Sequence, residues 1–160
     1  MSVRFKESNP DFIAELLRKY TAMRNIEIAV GFPTGTKGDR IHNKADIPIW
    51  QLAAIHQFGS VARGIPVRDF MGPAKVPTIL AIGPLMKNLV SRLNQGGEPH
   101  MNGFKAIARV AESEMKKSIN NLSSPANAQS TVDRKGSSNP LIDSAEMRNA
   151  TTAVVRKATT

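Results

Sequence analysis

The chain has no cysteine. That excludes disulfides, thiol nucleophiles and thiolate metal sites, and it fits a reducing compartment. Aromatic residues make up only 5% of the chain, with one tryptophan and one tyrosine. Single-stranded nucleic acid is gripped by stacking bases on aromatic side chains, so that mode has little to draw on. Phe12, Phe32 and Phe58 are better placed in a core. Long apolar runs are missing as well. The stretch from Val76 to Val90 is interrupted by Pro77, Pro84 and Lys87, and it falls short of the ~20 residues that span a bilayer. The opening residues, MSVRFKESNPDF, carry no apolar signal-peptide core, so synthesis in a cytoplasm without membrane contact is expected.

Catalytic and cofactor motifs are equally scarce. His42, His56 and His100 are far apart and match no metal-ligand spacing. The stretch GFPTGTKG at 31–38 has glycines spaced loosely like a phosphate loop, but no Lys-Ser or Lys-Thr pair closes it. There is no G-x-S-x-G element. Asp143, Ser144 and Glu146 resemble a paired-acid site, yet the Asp…Glu spacing of three is also that of a helix capping box. A catalyst should show a clustered acid, base or nucleophile. None is visible, so no enzyme, cofactor or metal is expected.

What is present is size and positive charge. A chain of 160 residues is one ordinary domain, able to bury roughly 70% of its unfolded surface. Lysine and arginine outnumber acids by 22 to 13, for a net charge of +9. Such a balance favours acidic surfaces or polyanions. The basic residues are dispersed in short pairs such as Lys116-Lys117, Arg134-Lys135 and Arg156-Lys157. Dispersed charge suits a diffuse field or a lined channel better than a base-reading element.

Periodicity supplies the elements. Asn9 can cap a helix that Pro10 begins, and Phe12, Ile13, Leu16, Leu17, Tyr20 and Met23 recur along it at helical spacing. The period then drops to two, with Ile26, Ile28, Val30 and Phe32 on one face of a strand. Residues 33–46 read as an exposed loop. Asp46 can cap a second helix over 49–58, closed by Gly59. Residues 61–73 read as extended. A third helix covers 76–93, with a kink or split expected at Gly83-Pro84. Asn102 can cap a fourth over 103–122, its apolar face led by Ile107, Ala111, Met115 and Ile119. The stretch 123–139, polar and rich in Ser and Asn, reads as an arm that orders on binding. Leu141-Ile142 is an apolar anchor, Asp143 and Glu146 form the expected capping box, and Ala153 to Arg156 make a final strand. The sum is an α+β fold: a small antiparallel sheet packed with about four helices, with long loops or arms, in a single domain over 1–160. A sheet of two strands is marginal alone, so neighbouring subunits are candidates to complete it.

Two ordered segments carry a family likeness. The first is Ile55-His56-Gln57-Phe58-Gly59-Ser60 followed by Ile65-Pro66-Val67-Arg68-Asp69-Phe70-Met71-Gly72-Pro73. The second is Ser130-Thr131-Val132-Asp133-Arg134-Lys135-Gly136-Ser137 followed by Pro140-Leu141-Ile142-Asp143-Ser144-Ala145-Glu146-Met147-Arg148-Asn149-Ala150. With the Val30-Gly31-Phe32-Pro33 strand end, this set resembles the tail-completion and virion-morphogenesis proteins of long-tailed bacteriophages. It spans about Glu27 to Arg156. The chain departs from the pattern at Ala145, where the family usually carries glycine, and at Asp69, where proline is common. Alanine is costly wherever positive φ is required.

The resemblance implies a non-enzymatic virion protein of the neck or tail junction, made in the host cytoplasm. It implies a homo-oligomeric ring, six- or twelve-fold, around the DNA path. Its partners would be portal or connector proteins and tail terminator or tube proteins, with nonspecific proximity to double-stranded DNA. The residues carried over are Arg68 and Phe70 of the R-x-F stretch, and Leu141, Ile142, Asp143 and Met147 of the closing stretch. Arg134 and Lys135 of the polar arm join them as assembly-interface candidates. The alternative is a basic accessory protein that binds DNA nonspecifically.

Overall fold

Small and branched apolar residues recur at helical spacing between Phe104 and Ile119, and that stripe becomes the centre of the molecule. In the computed structural model, which describes residues 10–98 and 101–158, they lie on α4 (Met101–Asn121). Phe104, Ile107, Ala108, Ala111, Met115 and Ile119 are all buried. On one side α4 packs along α3 (Met71–Asn94), and on another it carries the sheet. Gly103 lets α3 come close: a Cβ there would stand 2.3 Å from Leu89 Cδ1. Asn102 lies inside the first turn of α4, so it is not the cap expected of it. Asn9 and His100 lie outside the described residues.

The other elements are α1 (Pro10–Arg24), β1 (Ile26–Gly31), α2 (Ile49–Phe58), α5 (Gln129–Lys135), α6 (Glu146–Ala150) and β2 (Thr152–Lys157), with 3-10 turns at Lys37–Asp39 and Val61–Arg63. The α+β class is as expected. Six α-helices stand among the described residues where about four were expected, because α5 and α6 are too short to show a period. β1 and β2 pair antiparallel, from Ile26 against Lys157 to Gly31 against Thr152. The strand stops before Phe32, whose ring turns inward to meet Phe70 edge-on at 6.3 Å. No clean alternation of buried and exposed residues appears. Ile26 to Val30 are all half-buried, as a ribbon of only two strands covers neither face fully. Glu112 of α4 accepts from Ala153 N at 3.1 Å and Thr152 Oγ1 at 3.4 Å, tying β2 to the helix.

The third helix starts at Met71 rather than Val76 and runs unbroken to Asn94. Its start is fixed by partners outside its own turn. Gln57 Oε1 accepts from Phe70 N and Met71 N, both at 3.2 Å, and Asp69 Oδ1 accepts from Gly72 N at 2.7 Å. These satisfy donors that a helix N-terminus otherwise leaves unpaired. The expected break at Gly83-Pro84 does not occur. Pro77 and Pro84 are on the exposed side, and the carbonyls they leave without an amide partner belong to the exposed residues Pro73 and Leu80. The buried residues of α3 are Ala74 near the start and Leu89 and Leu93 at the far end.

A second cluster joins Ile49, Ala53, Phe70, Ala74, Met115, Ile119, Leu141, Met147 and Ala150. It ties α2, α6 and the first turn of α3 onto the end of α4. The segment 33–46 is a largely exposed loop, as expected, and local turns hold it against this cluster. Gly38 and His42 are buried there, and His42 Nδ1 accepts from Lys44 N and Ala45 N. Helix α1 is turned unexpectedly. Phe12, Ile13 and Leu17 are exposed, while Lys19 is buried between Glu15, Glu98 and the Gly96 carbonyl.

Two expected caps are corrected. Asp46 does not cap α2; it takes a left-handed φ of 51°, and Pro48 occupies the cap position without a side-chain bond. Asp143 and Glu146 do not form a capping box. Asp143 pairs with Lys44 at 2.8 Å, and Glu146 accepts from Ser144 Oγ at 2.7 Å and Asn43 N at 3.2 Å. The cap position of α6 is Ala145, at φ 60° and ψ 10°. This is the left-handed region, where a Cβ crowds the carbonyl at a cost of roughly 1–2 kcal/mol. Replacing Ala145 with glycine removes that strain at a smaller entropic cost. Ala145→Gly is expected to raise stability by about 1 kcal/mol, measured as an upward shift of the urea midpoint with an unchanged slope.

Candidate assembly interface

Proline favours extended backbone in the residue before it, and Ile65-Pro66-Val67-Arg68 crosses the end of α2 in that form. The Arg68 backbone N–H donates to His56 O at 2.8 Å. Its side chain then turns inward and is 6% exposed. Nε–H donates to Pro125 O at 3.2 Å and Nη2–H to Asn127 Oδ1 at 3.0 Å, while Nη1 lies 3.4 Å from His56 Nδ1. All three partners are neutral. Burial lowers the pKa of the guanidinium from its ordinary value, but an arginine this basic stays charged.

His56 receives the consequence. Burial pushes its pKa down to about 4, with the Arg68, Lys135 and His42 charges adding to the effect. It is therefore a neutral imidazole at neutral pH, placed to accept at Nδ1 from the guanidinium.

The segment 123–139, expected as an arm, is docked on its own chain by polar bonds. Pro125 and Asn127 meet Arg68. Helix α5 follows and ends at Gly136, φ 68°. Lys135 Nζ donates to Asn139 O at 3.0 Å and Pro140 O at 3.4 Å. Asn139 closes the turn: its Nδ2 donates to Asn120 O at 2.7 Å, and its Oδ1 accepts from Leu141 N and Ile142 N.

The candidates thus divide. Arg68, Phe70, Leu141 and Met147 lie inside the chain, at 6%, 0%, 6% and 3% exposure. Any part they play in assembly is through the fold they hold. Ile142 is half-buried against the same core. Asp143 and Lys135 are partly buried, and Arg134 is exposed. Sequence reasoning missed Gln57, Asp69, Asn127, Asn139 and Ser118, which donates to Phe70 O at 2.6 Å. The one available signal was Arg134-Lys135-Gly136, a basic last turn followed by a C-terminal glycine, which marks the end of α5.

Between α2, α5 and the residues before α6 lies an open cavity of about 220 Å³. The structure brings His42 and His56 to it, together with Lys135, Lys44, Asp143 and Glu146. Lys44 lowers the Asp143 pKa by direct hydrogen bonding. Burial lowers that of Lys135. Among the described residues no group of three His, Asp or Glu side chains is arranged to hold a metal ion. No family model, curated protein or solved structure matches the chain.

Two consequences are measurable. Arg68→Lys keeps the charge but cannot reach three acceptors at once. It is expected to cost about 2 kcal/mol and to speed amide exchange selectively over 123–139. The second concerns pH. The His56 pKa in the folded chain lies below its ordinary 6.5, so the unfolded chain binds the extra proton first. The stability contributed is whole above pH 6.5 and is lost as pH falls toward 4, by up to about 3 kcal/mol. His56→Gln should flatten the stability profile in that window; an unchanged slope would refute the assignment.

Proposed function

We propose that this chain is a structural, non-enzymatic protein of the neck or tail junction of a tailed bacteriophage, assembling as a ring around the DNA path. One observation carries the reading beyond the motif likeness. Among the described residues, thirteen large apolar side chains are exposed, Trp50, Phe58, Val61 and Leu80 among them. Val76, Ile79 and Leu80 recur at the spacing of one helical face on α3, and an exposed apolar face of this kind favours association. The motif residues consolidate a small domain and fix the 123–139 segment across it, which leaves the outer surface free for neighbours.

A ring uses heterologous interfaces, in which one patch meets a different patch on the next copy. Its lumen need only be mildly basic, because weak phosphate contacts hold DNA without arresting it. The dispersed lysines and arginines suit that requirement. Portal or connector proteins on one side and tail terminator or tube proteins on the other are the proposed neighbours, and the virion is the proposed location.

The test combines native mass spectrometry of the purified chain with immunodetection in purified particles. A closed oligomer and presence in particles are expected. Absence from particles would overturn the reading. So would a monomer whose main property is salt-sensitive binding to double-stranded DNA, which is the behaviour of an accessory DNA-binding protein.

A further inference from the structure

The cavity between α2, α5 and the residues before α6 is lined by two histidines whose tautomers are fixed from behind. His42 is 7% exposed, and its Nδ1 accepts from Lys44 N at 3.3 Å and Ala45 N at 3.1 Å. A ring nitrogen that accepts two backbone N–H groups carries no proton, so the imidazole hydrogen is on Nε2. His56 is held in the same way. Its Nδ1 lies 3.4 Å from Nη1 of Arg68, and a guanidinium has only donors to offer. Neither Nε2 bonds to any of the described residues. Among those residues no fully buried side-chain nitrogen or oxygen lacks a partner, so both Nε2–H groups are open to the cavity that the two rings line.

The charge behind these donors is positive. Lys135 Nζ donates to the Asn139 and Pro140 carbonyls, and Arg68 donates to neutral oxygens and a neutral ring. Neither cation is ion-paired among the described residues. Burial is the main reason the His56 pKa falls, and the charges of Arg68 and Lys135 add to it with no carboxylate opposing them. The two carboxylates of the cavity are already engaged. Lys44, its side chain 60% exposed at the mouth, holds Asp143 at 2.8 Å. Glu146 accepts from Ser144 Oγ and Asn43 N. Asp143 also attracts Lys135, from beyond ion-pair distance. Lys44 and Lys135 balance Asp143 and Glu146, and Arg68 behind His56 leaves the surplus positive.

We propose that this cavity binds a small oxyanion, of phosphate or carboxylate type, on the Nε2–H groups of His42 and His56, with Lys135 supplying the charge. An oxyanion accepts several hydrogen bonds at once, and charged partners strengthen each of them. The donors are oriented before the ligand arrives, which lowers the cost of binding. At about 220 Å³ the cavity is far larger than one water needs. A metal cation does not suit the same rings. It would take the Nε2 lone pair and move the hydrogen to Nδ1, where the Lys44 and Ala45 amides already point at His42. The oxyanion joins the turn at 42–45, α2 and α5, so it also fastens the 123–139 segment. The site stands whether or not the chain forms a ring.

The test is a titration of the isotope-labelled chain at neutral pH and constant ionic strength, read by long-range proton–nitrogen spectra of the histidine rings. Inorganic phosphate and acetate are compared with acetamide, a neutral acceptor. In the free chain both rings are expected in the Nε2–H form. Phosphate or acetate is expected to shift both Nε2 signals along a saturating curve, half-complete at roughly 1 mM or below, and to slow amide exchange over 131–135. Acetamide is expected to do neither. The tighter of the two anions identifies the ligand type. Lys135→Met removes the charge. Thr131→Leu fills the cavity from α5, at a side chain that bonds to none of the described residues. Each is expected to weaken binding roughly tenfold or more, and the second decides the matter where the first disturbs the turn at Asn139. An Nδ1–H form in either ring, shifts that never saturate, an equal response to acetamide, or undiminished binding by Thr131→Leu would overturn the proposal.

Discussion

The guanidinium of Arg68 holds three separate stretches of chain together. Burying a cation costs several kcal/mol unless its donors are met, and here they are met by neutral acceptors: the Pro125 carbonyl, the Asn127 amide and the His56 ring. The planar fork of arginine suits this arrangement, since its donors leave in fixed directions within one plane. The stretch 123–139 has few apolar side chains with which to hold itself against the core. Its position depends on polar bonds, and Arg68 provides the first of them. Lys135 and Asn139 continue the same logic at the other end, where a cation and an amide collect backbone carbonyls and N–H groups that would otherwise be left unpaired in the turn.

Spacing explains why Arg68 and Phe70 work as a pair. In extended backbone, residues two apart point the same way. Arg68 and Phe70 both turn inward, while Val67 and Asp69 face out. One inward residue fastens the polar segment and the other fills the core, where Phe32 meets it edge-on and Ser118 binds its carbonyl. The outward residue between them has its own task. Asp69 caps Gly72 and accepts from Gln57 Nε2 at 2.7 Å. Hydrogen bonds from Gln57 and the Gly72 amide hold its pKa below the ordinary value. A proline at position 69 would supply none of these bonds.

Much of the fold was legible where a period runs long enough. The apolar stripe of α4 identified its buried face, and the switch from period 3.6 to period 2 after Asn25 located β1. The failures share a cause: side chains whose partners are distant in sequence. Asp143 three residues before Glu146 is a capping pattern, but Lys44 and Asn43, about a hundred residues away, claim both carboxylates. Asp46 before Pro48 reads as a cap for the same local reason. In α1, helical spacing marked an apolar face without saying whether anything would cover it. Helix α5 is held by polar bonds and shows no period. For the candidate interface, the sequence named segments, yet it could not distinguish residues that build the domain from residues that face outward.

That distinction reorders the significance of the motifs. Arg68, Phe70, Leu141 and Met147 are the residues that most resemble a family signature, and they are buried in one chain. A partner cannot touch them without unfolding the segment that covers them. Their spacing is dictated by the fold, so a likeness in these residues is first a likeness of architecture. Leu17, Val76 and Leu80, by contrast, are exposed and belong to no recognisable motif. Such surfaces need only be apolar, complementary in shape and opposite in charge to the face they meet. The interior is constrained by hydrogen-bond geometry, whereas the outer faces are constrained only by a neighbour.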